Sequence, residues 1–157
     1  MNLILWRHAA AEDAPPADDG DDDDLARTLT KRGRKQAEIM AAWLNVHLPA
    51  DFELLVSPAL RARQTAEALQ ARFRTVPELG PGASPDDVLA AVNWPRGRGT
   101  VVVVGHQPTL GMVAALLLSG VPASWAIKKG AAWWIASRDR EEGAQSVLRA
   151  VVTPDLA

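Results

Sequence analysis

The 157-residue chain contains no cysteine. That excludes disulfides, thiolate-ligated metals and a cysteine nucleophile, and it fits a reducing compartment. No charge sign dominates either: 17 Lys and Arg stand against 19 Asp and Glu, a net of −2. The overall field therefore does not draw the chain to nucleic acid. No apolar run approaches the ~20 residues of a membrane span, and the opening residues show no basic n-region, h-region or cleavage site. A cytoplasmic protein that engages neither membrane nor nucleic acid is expected. Internal repeats and linkers are also missing. One domain over residues 1–157 is expected, long enough to bury roughly two-thirds of its unfolded surface without a metal or disulfide.

What is present is an alternation of strand and helix signals. The run Leu3 to Trp6 reads as a buried strand. An acidic, Pro- and Gly-containing loop follows at about residues 9–26. Thr30 is an N-cap for a helix to about His47, with Ala37, Met40, Ala41, Leu44 and Leu48 on one face. A second strand covers Glu53 to Val56. A second helix is expected with Pro58 in its first turn, running to about Phe73. Arg74 to Val76 suggests a short strand, and Ser84 caps a helix over Pro85 to Val92. Val101 to Val104 is the clearest strand, followed by a helix over Thr109 to Leu118. "AAWWIASR" and "QSVLRAVV" flank the turn-rich "DREEGA" and read as a closing hairpin. The expected fold is α/β: a three-layer αβα sandwich whose mostly parallel sheet gains antiparallel strands from that hairpin.

Ligands of such sheets gather outside the carboxyl ends of the strands. Arg7 and His8 follow the first strand there, His106 follows the Val101–Val104 strand, and Arg61 enters the helix after the second strand. Singly, each has an ordinary structural explanation as a cap, a packing group or a solvated charge. Arg61 is unfavourable against its helix dipole, which a bound anion would offset. Together, two arginines and two histidines at corresponding strand ends specify a dianion, most simply a phosphoryl group. No carboxylate shares these motifs, which disfavours a metal-centred site.

The motifs "RHA" (Arg7 to Ala9), "SPALRARQTA" (Ser57 to Ala66) and "VVGHQP" (Val103 to Pro108) resemble, in order and spacing, those of the histidine phosphatase superfamily, the phosphoglycerate mutase-like proteins. "LTKRG" (Leu29 to Gly33), "PELGP" (Pro77 to Pro81) and the short chain resemble its SixA-type phosphohistidine phosphatase branch. The resemblance implies a phosphatase without metal or other cofactor. His8 would be the nucleophile, Arg7, Arg61 and a donor His106 would bind the phosphoryl oxygens, and Arg27 would add a contact. Phosphohistidine on a protein is the expected substrate. A phosphomonoesterase acting on a small metabolite is the alternative within the class, and a non-catalytic phosphate- or phosphoprotein-binding module the alternative outside it.

For attack, one His8 nitrogen must donate its proton, for example to a backbone carbonyl, so that the other keeps its lone pair. Two features depart from the family pattern. Ala9 replaces a glycine, which is acceptable where φ is negative and the methyl is clear of the phosphate. No general acid is evident, with only Glu78, Asp86 and Asp87 as candidates. An imidazole leaving group needs less protonation than an alkoxide, so a missing acid favours a phosphoramidate.

The Asp18–Asp24 run is expected to be a solvated loop that repels polyanions and prefers a positively charged substrate surface. The tryptophans Trp43, Trp133 and Trp134 are read as core, and Trp94 as a loop-lining residue. His47 is assigned no catalytic role. Lys128 and Lys129 are read as surface charges, one of which could fringe the pocket.

Overall fold

Six strands form one sheet in a computed structural model that describes residues 1–17, 23–141 and 143–157. The Asp18–Asp22 part of the acidic run lies outside the described residues. The elements are β1 (Asn2–Arg7), α1 (Lys31–His47), β2 (Phe52–Val56), α2 (Leu60–Glu67), β3 (Arg74–Thr75), α3 (Pro85–Val92), β4 (Thr100–Gly105), α4 (Thr109–Ser119), β5 (Ala132–Arg138) and β6 (Gln145–Val152). The strand order is β3-β2-β4-β1-β5-β6. The first four are parallel, and the β5–β6 hairpin joins antiparallel to β1.

Strand alternation builds the layers. Leu3, Leu5, Leu55, Val101 and Val103 face Val88, Leu110 and Val113 of α3 and α4. Ile4, Trp6, Leu54, Val56, Val102 and Val104 face Met40, Leu44 and Ala62 of α1 and α2. Every β4 residue is buried, as a near-continuous valine run predicts for a central strand. Trp133 and Trp134 divide between the two faces, and Trp43 packs edge-on to Trp134 at 6.4 Å.

The caps follow the sequence. The Thr30 hydroxyl accepts from the Gly33 amide, and Ser84 forms a full capping box with Asp87. Helix α2 departs from expectation at both ends. Pro58 lies in the turn before it, and it stops at Glu67 rather than near Phe73. Leu69 and Gln70 make tight three-residue amide bonds back to Ala66 and Glu67, and Gln70 takes a left-handed φ of 53°. This turn buries Leu69 and brings β3 back alongside β2.

Strand neighbours β1 and β4 send their helices to opposite faces, α1 to one and α4 to the other. The chain therefore parts at the carboxyl ends of these two strands, which opens a crevice there.

Candidate active site

Arg7 ends β1 and pairs across the ladder with Gly105, the end of β4. One residue on, the His8 amide donates to the Gly105 carbonyl and the Gly130 amide donates to the His8 carbonyl, both at 3.1 Å. His8 is thus fixed by backbone bonds on both sides. His106, one step past β4, lies beside it with ring centroids 5.1 Å apart.

His8 Nδ1 lies 2.8 Å from the Ala9 carbonyl oxygen. A carbonyl only accepts, so Nδ1 carries the proton and Nε2 keeps its lone pair. Burial, above all, pushes the His8 pKa down to about 4; the Ala9 bond opposes this, and the charges of Arg61, Arg7 and Arg27 add to it. The ring is neutral at pH 7.

Ala9 itself is fully buried with its methyl among Leu29 and Ala37, and its amide donates to the Thr65 hydroxyl at 3.0 Å. Gln70 and Asn93 are the only described non-glycine residues with positive φ, so Ala9 has no need of glycine's freedom. A glycine is required elsewhere. A Cβ at Gly33 would run into the Ala10 carbonyl oxygen, so its absence lets the loop after His8 cross the start of α1.

Arg61 is 4% exposed and reaches both histidines. Its Nε donates to His8 Nε2 and its Nη2 contacts His106 Nδ1, each at 3.3 Å. The Arg7 guanidinium is held by Nη1 on the Ile127 carbonyl at 2.8 Å, while its buried Nε has no partner among the described residues. The crevice therefore joins a neutral nucleophilic nitrogen to two guanidinium groups.

His106 Nε2 lies 2.7 Å from the Ser57 hydroxyl, which also accepts from the Ala59 amide. Burial, then the neighbouring His8, pushes the His106 pKa down to about 3, with Arg61 acting in the same direction and Asp24 opposing. With Arg61 against Nδ1, that nitrogen accepts, and Nε2–H donates to Ser57. A hydroxyl both donates and accepts. If an oxyanion displaces Arg61 from Nδ1, the Ser57 O–H can donate to Nε2 and leave Nδ1–H to face the oxygen. The ring changes tautomer without changing charge.

The sequence reading missed the carboxylate at the site. Asp24, in the short 3-10 turn Asp24–Ala26, is bound to Arg61 twice: Nη1 to its carbonyl at 2.7 Å and Nη2 to its Oδ2 at 3.1 Å. Arg27 turns to the same carboxylate at 3.3 Å and to the Glu12 carbonyl at 2.8 Å. It bonds to neither histidine, although its charge contributes to lowering both pKa values. Burial pushes the Asp24 pKa up, but the hydrogen bonds and charges of Arg61 and then Arg27 outweigh it, and the net shift is down.

The three acid candidates lie elsewhere. Asp87 is exposed and engaged in its capping box, Glu78 and Asp86 are exposed, and none is bonded to the four converging residues. Gln107 is structural, with its amide on the Trp125 carbonyl and its oxygen on the Gly111 amide. Gln64 and Thr65 were also missed. They hold the Leu29 and Ala9 amides, and the signal was their position three and four residues after Arg61, which places them on nearly the same helix face.

The sequence model of the histidine phosphatase superfamily (branch 1) matches residues 3–82. The phosphohistidine phosphatase SixA of Escherichia coli K12 is 33% identical over 129 residues, covering 76% of each chain. A phosphohistidine phosphatase SixA homolog of Haemophilus influenzae is 29% identical over 132 residues, covering 74% of this chain and 77% of its own. The solved structure of the protein histidine phosphatase SixA complexed with tungstate superposes with a TM-score of 0.75 at 26% identity, covering 99% of this chain and 98% of that one.

Proposed function

The chain belongs to the histidine phosphatase superfamily, branch 1, and on that premise we propose that it hydrolyses phosphohistidine on a protein, acting as one domain over residues 1–157. The observation that carries this reading is the His8 tautomer: Nδ1–H is tied to the Ala9 carbonyl, and Nε2 is free of a proton within reach of Arg61. Likeness to a fold that holds tungstate, a tetrahedral oxyanion, supports a phosphoryl group between Arg7 and Arg61.

His8 Nε2 attacks phosphorus in line, and the bond from phosphorus to the substrate nitrogen breaks. Arg7, Arg61 and the Nδ1–H of His106 stabilise the equatorial oxygens. The guanidinium groups supply the positive charge a metal would otherwise provide. A substrate imidazole protonated on its free nitrogen leaves as neutral imidazole. His8, retaining Nδ1–H on Ala9, becomes the same protonated phosphohistidine. Water then attacks, its two protons leave with the phosphate, and His8 departs as neutral imidazole. Neither step requires a carboxylic acid. Asp24, held ionised by Arg61 and Arg27, is a poor proton donor, so the site suits a phosphoramidate better than an ester.

Brief exposure to a labelled phosphohistidine protein should leave acid-labile label on the enzyme, and none on His8→Ala. No label on either would reduce the site to a binding module. Faster turnover of sugar phosphates in a parallel panel would shift the reading to a metabolite phosphomonoesterase.

A further inference from the structure

Beside Arg7 the crevice continues into a groove lined by cations. A cavity of about 480 Å³ is bounded by Arg7, Ala10, Arg32, Lys128 and Lys129. It adjoins a second of about 610 Å³ along α1, reached by Lys31 and Lys35, and the two share Arg32, Gln36, Pro154 and Asp155. We infer that this groove receives an acidic segment of the protein substrate, next to its phosphohistidine; the inference rests on the phosphatase reading above.

Charge is the first argument. Besides Arg7, five cations line the groove against a single carboxylate, Asp155. Among the described residues none of the five is in an ion pair. The first turn of α1 holds no acidic residue, so the like charges of Lys31, Arg32 and Lys35 stand three and four residues apart with no carboxylate from that turn between them. Two elements distant in sequence, α1 and the loop before β5, bring these charges to one side of the site.

Size is the second argument. Lys31 to Ile39 spans about 12 Å of helix, and the two joined cavities take in residues across that stretch as well as Arg7. A small phosphorylated metabolite held by Arg7 and Arg61 does not extend along it. An extended polypeptide covers the same length in about four residues, enough for several carboxylates.

Orientation is the third. Asp24 and the neighbouring Asp23 lie on the Arg61 side of the site, whereas the groove opens on the Arg7 side. Acidic residues are repelled on one flank and attracted on the other. A substrate with carboxylates on one side of its phosphohistidine therefore docks in one direction. The preference for positive substrate surface expected of the acidic run would apply to the opposite flank only.

The test uses fluorescent peptides with a central non-hydrolysable phosphohistidine analogue, flanked on one side by glutamates, serines or lysines. Binding is read by anisotropy, alongside turnover of phosphoramidate. The Glu-flanked peptide should bind at least about tenfold more tightly than the Ser-flanked one at low salt, and the Lys-flanked one most weakly. The double variant Lys31→Glu, Lys35→Glu, at cations that do not line the cavity holding Arg7, should reduce the glutamate preference to within twofold while phosphoramidate turnover stays unchanged. Lys35→Glu should weaken it alone. A glutamate preference that survives the double variant, or Glu- and Ser-flanked peptides of equal affinity, overturns the inference. So does an RNA oligonucleotide that displaces the Glu-flanked peptide at equal concentration. If phosphoramidate is not turned over, the phosphatase reading fails while the peptide ranking still decides the groove.

Discussion

Asp24 holds Arg61 by two groups at once, its carboxylate Oδ2 at 3.1 Å from Nη2 and its backbone carbonyl at 2.7 Å from Nη1. The arginine expected to bind the phosphoryl group is thus already paired with an internal anion, which an incoming dianion must compete with or displace. Asp24→Asn keeps the carbonyl and removes the charge. Phosphate or tungstate inhibition should strengthen by about fivefold, as expected for loss of a half-exposed ion pair worth ~1 kcal/mol. Reduced kcat with unchanged oxyanion affinity would instead mean that the carboxylate acts on the attacking water.

The two histidines make stability depend on pH in a defined window. Their folded pKa values of about 4 and about 3 lie below the ordinary 6.5. Between those values and 6.5 the unfolded chain binds more protons than the folded one, so stability is complete above about pH 6.5 and is lost as pH falls through the window. The loss from His8 alone should reach up to about 3 kcal/mol. Tm should fall from pH 7.5 to pH 4.5, and His8→Asn should flatten the slope.

The same shift acts on catalysis. His8 stays unprotonated well below pH 6.5, so the enzyme's acidic limb in kcat/KM should lie near pH 4 to 5 once the substrate's own protonation is subtracted. A limb at 6.5 would mean that the nucleophile is not desolvated.

Ser57→Ala removes the group that lets His106 exchange tautomers. The buried ring nitrogen loses its partner, at a cost of about 1–3 kcal/mol. The fall should appear mainly in kcat, with the ¹⁵N shifts of His106 locked in one tautomer on tungstate binding. Ser57→Thr, which keeps a hydroxyl, should recover most of the rate. Loss of stability with normal kinetics would make Ser57 purely structural.

Ala9→Gly tests the one letter of the first motif that differs from the family. The φ of Ala9 is ordinary and its methyl is packed, so glycine should leave turnover within twofold and lower stability by about 1 kcal/mol. A gain in rate would show that the methyl crowds the phosphoryl group.

Much of the frame was legible. The valine run of β4, the Thr30 and Ser84 caps and the hairpin around "DREEGA" are signalled by neighbours a few residues apart, and local patterns carry that information. The end of α2 was not legible. The apolar spacing continues past Glu67, and burial of Leu69 together with β2–β3 pairing overrides it. Asp24 was hidden for a different reason. Within a run of aspartates it has no distinguishing neighbour, and only the fold shows which carboxylate meets an arginine 37 residues away.

The sequence by itself determined the strands, the helices apart from the ends of α2, and the residue types delivered at the strand ends, because hydrophobic period and capping chemistry act over a single turn or step. Tertiary structure alone decided that β1 lies beside β4 and that His8 and His106 meet in one crevice. It also decided that Arg61 is shared between two histidines and Asp24, and that the α1 cations line a groove running to Arg7. Those are matters of register and of hydrogen bonds between distant residues, and no local pattern encodes them.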